Sequence, residues 1–303
     1  MPVSKKPRRK KSNPPSAKGK SAIVPLPDRR AMEGFMSAIG GRRAEDAKAE
    51  AQEVMYDAWE QTSRNARVAL AHKALAISPL CADAYVLLAE EEAKSAAEAL
   101  AYYRKGVEAG EQALGPKGFK QYAGRFWGFL ETRPYMRARA GLAAALNALG
   151  EVDAAISHYR DMLRLNPGDN QGIRYVLALC LMKRGDTEAL KQLLERYDED
   201  GSAPWLYTRA LVAFREHAVD DKQAEEFARR ACRQNKHVPA VLVGAKKAKP
   251  SMNGYVTVGG EDEAADYVRE WGFDWLTTPG AVDWLTKVAA EIAPPTTGRQ
   301  STH

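Results

Sequence analysis

The chain has 303 residues and a formal net charge of +6, and its segments rich in alanine and leucine alternate with arginine, lysine and glutamate. This composition suits long amphipathic helices, and the clusters of β-branched residues that would indicate strands are nearly absent. No apolar run reaches the roughly 18 residues of a membrane-spanning helix, and no apolar stretch follows the basic N-terminal residues as in a secretory signal. We therefore expect a helical protein without a membrane span, forming one elongated array or two lobes.

The cysteines are odd in number and widely separated: Cys81, Cys180 and Cys232. Each lies within an apparent helical pattern or at its edge, which is typical of small buried side chains rather than of a disulfide framework. Reduced thiols indicate a cytosolic protein, so the expected location is cytoplasmic.

Residues 1–30 form a basic tail. They hold ten lysines and arginines and one acid, Asp28, so the +6 of the whole chain leaves −3 for residues 31–303. The tail offers almost nothing apolar for burial and is predicted to be disordered. It either binds a polyanion such as RNA, DNA or the ribosome through counterion release, or serves as a solubilising leader without a partner. The candidate polyanion-binding residues are Lys5, Lys6, Arg8, Arg9, Lys10 and Lys11.

The segments that follow predict the helices of a degenerate array. Residues 31–45 carry the apolar face of a short capping helix, and two helices are predicted between residues 44 and 75. Tyr85-x2-Leu88-Ala89 matches the opening of a helical repeat, and Ala99-x3-Tyr103 supplies its second helix.

Residues 106–135 are longer than an ordinary turn between helices and are rich in aromatic side chains, so we predict an aromatic insert in the array. Large aromatic residues at irregular junctions usually fill the core. The alternative is an exposed contact with a partner, for which the candidate residues are Phe126, Trp127 and Tyr135.

The clearest repeats occupy residues 136–169 and 170–202. The tetratricopeptide pattern is visible in the first as Leu142-Ala143, Leu146, Gly150, Ala155-x3-Tyr159 and the closing Pro167. A shift by the tetratricopeptide period of about 34 residues reaches positions of the same apolar or small character in the second: Val176, Leu177, Cys180, Ala189 and Leu193. Because such a helix pair cannot bury its apolar face alone, the period predicts a solenoid.

A further copy is indicated around Trp205 and Ala210, with Ala224 and Ala228 on its second helix. Residues 245–290 contain two more helical patterns, which we predict to form a C-terminal cap over the last apolar face. Residues 291–303 are predicted to be a disordered tail. The fold class is thus an all-α, tetratricopeptide-type helical-repeat solenoid over residues 31–290, with about four to five helix pairs.

Several strings resemble the suppressor of tumorigenicity 7 family. Residues 81–93 resemble a signature stretch of that family, and residues 237–239 and 261–264 resemble its later part. Residues 126–128, 133–135 and 166–172 are similar to bacterial tetratricopeptide proteins of the same wider group. The resemblance covers about residues 45–290, and it implies a helical-repeat interaction protein without catalytic residues.

Motifs for catalysis or metal binding are missing from the sequence. The side chains of Glu90-Glu91-Glu92 point in different directions on a helix, and no histidine stands three or four residues away. The five histidines are scattered without metal-ligand spacing, and neither a phosphate loop nor a Gly-x-Ser-x-Gly elbow is present. We expect no enzymatic activity, no metal and no cofactor.

The candidate peptide-binding residues are polar and come from the first helices of adjacent repeats, which line the concave groove of such arrays. Arginine can bind a carboxylate through two hydrogen bonds, and asparagine or glutamine can bind a peptide backbone. The candidates are Arg133, Arg137, Asn147, Gln171 and Arg174.

A structural role is the alternative for these residues. Arg133 and Arg137 would then pair with Glu131 or Asp161, and Gln171, with its neighbour at 170, would cap the next helix. The sequence favours a non-enzymatic adaptor or scaffold that binds a protein or peptide segment in its concave groove. The alternative function is a nucleic-acid- or ribosome-associated protein anchored by the basic tail.

Overall fold

The computed structural model describes residues 47–217, 222–251 and 256–292 of the chain. Within these ranges every regular element is helical: thirteen α-helices and two short 3-10 turns, with no strand. The all-α prediction is therefore confirmed. The predicted tail at residues 1–30, the predicted capping helix at 31–45 and the residues after Ile292 lie outside the described residues.

The helices follow one another through mostly short connections. In chain order they are α1 (Ala47–Glu60), α2 (Arg64–Ile77), α3 (Ala82–Glu91), α4 (Ala96–Tyr122), α5 (Arg133–Ala148), α6 (Val152–Leu165), α7 (Ile173–Arg184), α8 (Thr187–Arg196), α9 (Ala203–His217), α10 (Lys222–Gln234), α11 (Val238–Leu242), α12 (Glu261–Leu276) and α13 (Ala281–Ile292). The 3-10 turns, Phe126–Gly128 and Leu130–Thr132, lie between α4 and α5.

Five consecutive helix pairs make up most of the described chain: α1 with α2, α3 with α4, α5 with α6, α7 with α8, and α9 with α10. Each pair also contacts the next, for example through α2 and α3, α4 and α5, and α6 and α7. This is the connectivity of a helical-repeat solenoid, in which each unit buries its apolar face against its neighbours. The predicted fold class, an all-α helical-repeat solenoid, is therefore confirmed by the packing of consecutive helix pairs.

The predicted core of the first clear repeat is buried. Its small and apolar positions all have less than a tenth of their surface exposed: Leu142, Ala143, Leu146, Ala155 and Tyr159. One hydrophobic cluster runs from α3 to α13, and a smaller cluster joins α1, α2 and α3. The spacing of these residues therefore identified the faces on which α5 and α6 meet.

The predicted aromatic insert at residues 106–135 is, up to Tyr122, the continuation of α4. The helix is interrupted at Gly115, whose φ of 58° is accessible to glycine at little cost, and Pro116 starts the last turns. The two 3-10 turns then lead into α5. This continuation of α4 could not be predicted from sequence, because glycine, present at 106, 110, 115 and 118, is unfavourable inside a helix.

Two of these glycines let α4 approach α5 closely. A Cβ atom on Gly106 would lie 3.1 Å from the Cβ of Ala138. A Cβ atom on Gly110 would lie 2.9 Å from the Cβ of Tyr135 and 3.0 Å from its Cα. Since a backbone atom cannot move aside as a flexible side chain can, Gly110 sets the separation of the two helices.

Replacing Gly110 with alanine should therefore destabilise the protein by about 1–3 kcal/mol, the usual cost of overpacking a core. Alanine favours a helix over glycine by about 1 kcal/mol, so the steric clash and the intrinsic preference act in opposite directions here. Urea unfolding followed by circular dichroism measures the difference. Gly128→Ala is the control, because nothing lies within 4 Å of its added methyl group. A stabilised Gly110→Ala variant would contradict the close approach.

The last two helices cover the open side of α9 and α10. The rings of Phe214 on α9 and Trp284 on α13 are 4.8 Å apart, and those of Tyr207 on α9 and Tyr267 on α12 are 5.6 Å apart. Helix α11 contacts both α12 and α13. Residues 261–292 thus occupy the place where a sixth pair would otherwise stack.

A buried carboxylate joins this C-terminal part to the last helix pair. Glu263 on α12 accepts a hydrogen bond from the backbone N–H of Ala203 at 2.8 Å, at the start of α9. Its other oxygen accepts from Asn235 Nδ2 at 2.9 Å and from the backbone N–H of Gly259 at 2.7 Å. One buried side chain thus accepts hydrogen bonds from three donors and links α12 to the start of α9 and the end of α10.

All three cysteines are buried and none forms a disulfide. Burial, and then the charge of the nearby Asp83 carboxylate, raises the pKa of the Cys81 thiol to about 12. Burial likewise raises the pKa of Cys180 and Cys232.

We predict that Cys81, Cys180 and Cys232 react slowly with a disulfide reagent at about pH 8, because only the thiolate attacks and these thiols are protonated. In denaturant the thiol pKa returns to about 8.5, and all three should react within the mixing time. The release of the chromophoric thiol is followed by absorbance. Rapid reaction of one equivalent in the native protein would show that one of these cysteines is exposed.

Candidate functional site

Arg137 is buried within the array. Its Nε donates to Asp83 Oδ1 at 2.7 Å, and its Nη2 donates to the other oxygen of the same carboxylate. Only 8% of the Arg137 side chain and none of the Asp83 side chain is exposed. The expectation that Arg137 faces an open groove is therefore wrong, and its partner is neither Glu131 nor Asp161.

The ion pair joins the first helices of three successive helix pairs. Asp83 lies in the first turn of α3, where the helix dipole favours a negative charge. It also accepts a hydrogen bond from Gln52 Nε2 on α1 at 2.8 Å. The Arg137 guanidinium on α5 lies 5.2 Å from the ring centroid of Trp59 on α1, a cation–π distance. Helices α1, α3 and α5 are thus fixed relative to one another by polar contacts.

Arg133 and the candidate aromatic residues also face inward. Arg133 is buried, donates from Nε to the Trp127 carbonyl oxygen at 3.0 Å, and lies over the Trp127 ring. Phe126 and Tyr135 are 0% and 1% exposed, and Phe119 packs between them. Phe126 and Tyr135 therefore pack in the core, while Trp127 is half-buried over Arg133.

Arg174 lies between two carboxylates and three aromatic rings. Its Nε is 2.7 Å from Asp200 Oδ2, and its Nη1 is 3.0 Å from Asp169 Oδ2. Its guanidinium carbon is 4.5 Å from the ring centroid of Tyr175 and 5.8 Å from that of Trp205. This cluster connects α7 to the start of α9.

Within this cluster, Arg174 and Asp200 each favour the charged form of the other. Burial alone would lower the pKa of Arg174, but the hydrogen bond and charge of Asp200 raise it. Burial would raise the pKa of Asp200, but hydrogen bonds from Ser202, Tyr175 and Arg174 lower it. Both groups therefore remain charged at neutral pH, and the hydrogen-bonding capacity of Arg174 is largely used inside the protein.

Asn147 and Gln171 are half-buried. Gln171 does not cap α7, because Asp169 does: its Oδ1 accepts from the backbone N–H of Ile173 at 2.7 Å. Asn170 instead accepts from Asn166 Nδ2 at 3.2 Å. The five candidate peptide-binding residues are thus not brought together as one open surface, and their binding role stays a prediction.

An open groove of about 470 Å³ lies elsewhere, where α8, α9 and α10 meet. Its lining combines buried apolar side chains with charged ones at the rim: Lys191, Leu194, Glu195, Asp198, Arg209, Val212, Ala213, Glu216, Gln223 and Phe227. The sequence could not reveal it, because its residues come from three helices and only two of them share a repeat. We call it the α8–α10 groove.

The two cations of the α8–α10 groove are already engaged. Lys191 Nζ pairs with Glu216 Oε1 at 3.0 Å. Arg209 donates from Nη2 to the Leu194 carbonyl oxygen at 2.6 Å and lies 5.5 Å from the ring centroid of Phe227. Burial, and then the charge of nearby Arg230, lowers the pKa of Arg209.

Two carboxylates of the α8–α10 groove differ from its cations. Glu195 and Asp198 are exposed, and neither forms an ion pair with any residue in the described ranges. Glu195 lies in the last turn of α8, and Asp198 lies in the turn that follows the helix. Their charges oppose the lowering of the Arg209 pKa by burial. The groove therefore offers apolar contact together with two exposed carboxylates.

The predicted polyanion-binding residues from Lys5 to Lys11 lie outside the described residues, so their role stays a prediction. In residues 47–217, 222–251 and 256–292, no helix is both long and apolar enough to cross a membrane. The same ranges contain no group of three or more His, Cys, Asp or Glu side chains placed to hold a metal ion.

The described residues thus define an all-α helical-repeat protein whose first helices are joined by internal ion pairs. Residues 42–257, more than two thirds of the chain, match the family model described as ST7 protein. The chain belongs to the ST7 family, as the resemblance in its sequence indicated.

Among its relatives, the Protein ST7 homolog of Drosophila melanogaster is 29% identical over 266 residues, covering 79% of this chain and 49% of that protein. The Suppressor of tumorigenicity 7 protein of Macaca fascicularis is 28% identical over 283 residues, covering 78% of this chain and 52% of that protein. The Suppressor of tumorigenicity 7 protein-like of Gallus gallus is 27% identical over 265 residues, covering 79% and 47%. The chain spans about half the length of these relatives.

We predict that Arg137→Met destabilises the protein by about 3–5 kcal/mol, the cost of leaving a buried charge without its partner. The double variant Asp83→Leu with Arg137→Met should recover much of this loss, because it removes both charges. Urea unfolding measures each variant. The control is Arg184→Met, whose partner Asp153 is exposed and whose loss should change stability by less than about 1 kcal/mol. Equal effects of Arg137→Met and Arg184→Met would contradict the buried pair.

Proposed function

We propose that this protein is a cytoplasmic, non-enzymatic helical-repeat adaptor that binds a segment of a partner protein in the α8–α10 groove. The observation that supports the proposal is the groove itself, which is open, partly apolar and carries carboxylates without ion-pair partners. Helical-repeat proteins characteristically bind partners on surfaces formed by successive repeats, and this groove is lined by helices of two successive pairs.

The lining defines the chemistry of the ligand. The half-buried ring of Phe227 offers contact to an aliphatic side chain, while Leu194 and Val212 are buried in the lining. Glu195 and Asp198 offer acceptors for a lysine or arginine placed beside it, and such charge-assisted hydrogen bonds are among the stronger polar contacts. We therefore expect a ligand segment with a basic residue next to an aliphatic one.

The groove is a better candidate than the surface around Arg137 and Arg174. The donors of those two arginines are directed at Asp83, Asp169 and Asp200. A ligand carboxylate would have to displace an internal carboxylate and leave it unpaired, at a cost of several kcal/mol. Binding in the α8–α10 groove breaks no such pair.

The test is selection of a random-peptide phage library on the full-length protein, followed by titration of the selected peptides. The peptides should carry lysine or arginine beside an aliphatic residue. The double variant Glu195→Lys with Asp198→Lys should weaken their binding by about tenfold or more, since about 1.4 kcal/mol corresponds to tenfold in affinity.

Glu108→Lys with Glu111→Lys is the matched control. These residues are likewise exposed acids three positions apart in sequence, and they lie on α4. The control should bind the selected peptides as the unchanged protein does. If both double variants lose binding equally, or if neither does, the α8–α10 groove is not the binding site.

A further inference from the structure

The charge of residues 227–260 differs from that of the chain around them. No aspartate or glutamate occurs between Glu226 and Glu261, while the same stretch contains seven lysines and arginines. The sum of −3 for residues 31–303 conceals this stretch, because the two helices that follow it are strongly acidic.

Two of the seven cations are neutralised in the folded protein. Arg229 pairs with Glu225 at 2.5 Å and also with Glu291. Lys246 pairs with Glu261 at 2.7 Å. The other five are exposed and form no ion pair with any of the residues described by the structure: Arg230, Arg233, Lys236, Lys247 and Lys249.

Two of these exposed cations, Arg230 and Arg233, lie in the last turns of α10, three residues and about 4.5 Å of helical rise apart. Lys236 lies in the turn between α10 and α11. After α11 the chain comes back to the turn that precedes this helix, where Lys246 Nζ lies 3.1 Å from His237 Nδ1.

Two more exposed cations follow in the segment after α11. Lys247 is next to Lys246 in sequence, and Lys249 lies three residues after Lys246. The electrostatic environment at this place is positive: burial, and then the charges of Lys246 and Lys236, lower the pKa of His237, with Glu261 acting in the opposite direction.

We propose that this basic row, Arg230, Arg233, Lys236, Lys247 and Lys249, binds the phosphate backbone of a nucleic acid. Cations without protein partners release counterions from a polyanion when they bind it, which is the main source of sequence-independent affinity. The proposal is independent of the α8–α10 groove, and the basic tail at residues 1–30 would add to the same attraction.

The residues around the row favour a phosphate backbone over a membrane interface. An interfacial helix inserts Trp, Phe or Leu side chains into the membrane, whereas the exposed large apolar residues described in residues 227–260 are valines: Val243, Val256 and Val258. The five cations offer no aromatic surface on which bases could stack. We therefore expect contacts to phosphate with little preference for base sequence.

The test uses the full-length protein and two fluorescein-labelled probes of equal length, oligouridylate and oligodeoxythymidylate. Fluorescence anisotropy gives the affinity over a series of salt concentrations. Both probes should bind, and affinity should fall steeply with salt. The triple variant Arg230→Ala, Arg233→Ala, Lys236→Ala should reduce the slope of log affinity against log salt by about 2, since each phosphate contact on a single strand contributes about 0.7.

A second variant, Lys247→Ala with Lys249→Ala, should reduce the slope by about 1.4 for the same reason. The matched control is Arg104→Ala, Lys105→Ala, Lys120→Ala on α4, which removes the same charge from exposed positions elsewhere. Its slope should equal that of the unchanged protein, and circular dichroism should be unchanged in every variant.

Three results would overturn the proposal. One is a slope that neither row variant changes, which would place all binding on the basic tail. Another is the same loss for the control as for the triple variant, which would mean that only net charge matters. The third is binding to vesicles containing phosphatidylserine without binding to either oligonucleotide, which would identify the row as a membrane contact.

Discussion

The arrangement of the first three helix pairs depends on one buried ion pair, between Asp83 and Arg137. The cost of removing a charge from water must be offset by well-placed hydrogen bonds and an opposite charge. Here both oxygens of Asp83 accept hydrogen bonds from the Arg137 guanidinium, and Gln52 is a third donor. Trp59 covers the other side of Arg137. Since a small displacement of α1, α3 or α5 would leave a charge without its partner, the pair permits one relative position of these helices. The alanine-rich surfaces around it can slide at a much lower cost.

Other polar contacts also join helices farther along the array. Arg174 joins α7 to the start of α9 through Asp169 and Asp200, and Glu263 joins α12 to α9 and α10. We infer that burial of small apolar side chains supplies most of the driving force for stacking, whereas these polar groups select the register. This division of roles explains why arginine on a first helix, which in sequence suggests a ligand contact, serves as an internal link here.

The periodic part of the fold could be predicted from sequence, and the contacts between repeats could not. Leu142, Leu146 and Tyr159 stand at spacings that identify a buried helical face, and they are buried. Arg137 lies on the same helix as the two leucines, but its partner is 54 residues away. A helical pattern cannot tell a face turned to solvent from a face turned to the neighbouring pair. The α8–α10 groove was missed for a similar reason, since its residues are adjacent only after two repeats have stacked.

The net charge of a surface region, and not that of the whole chain, determines how the region attracts a charged partner. The Debye length is about 8 Å at physiological ionic strength, so a partner responds to the side chains within that range and not to the total of a 303-residue chain. Residues 227–260 hold seven bases and no acid, whereas residues 261–292 hold eight acids and two bases. Folding pairs some of these opposite charges, such as Lys246 with Glu261, and leaves the basic row without such partners. The charge that a partner meets is therefore the part that folding has not neutralised, and that part can be identified only from the packed structure.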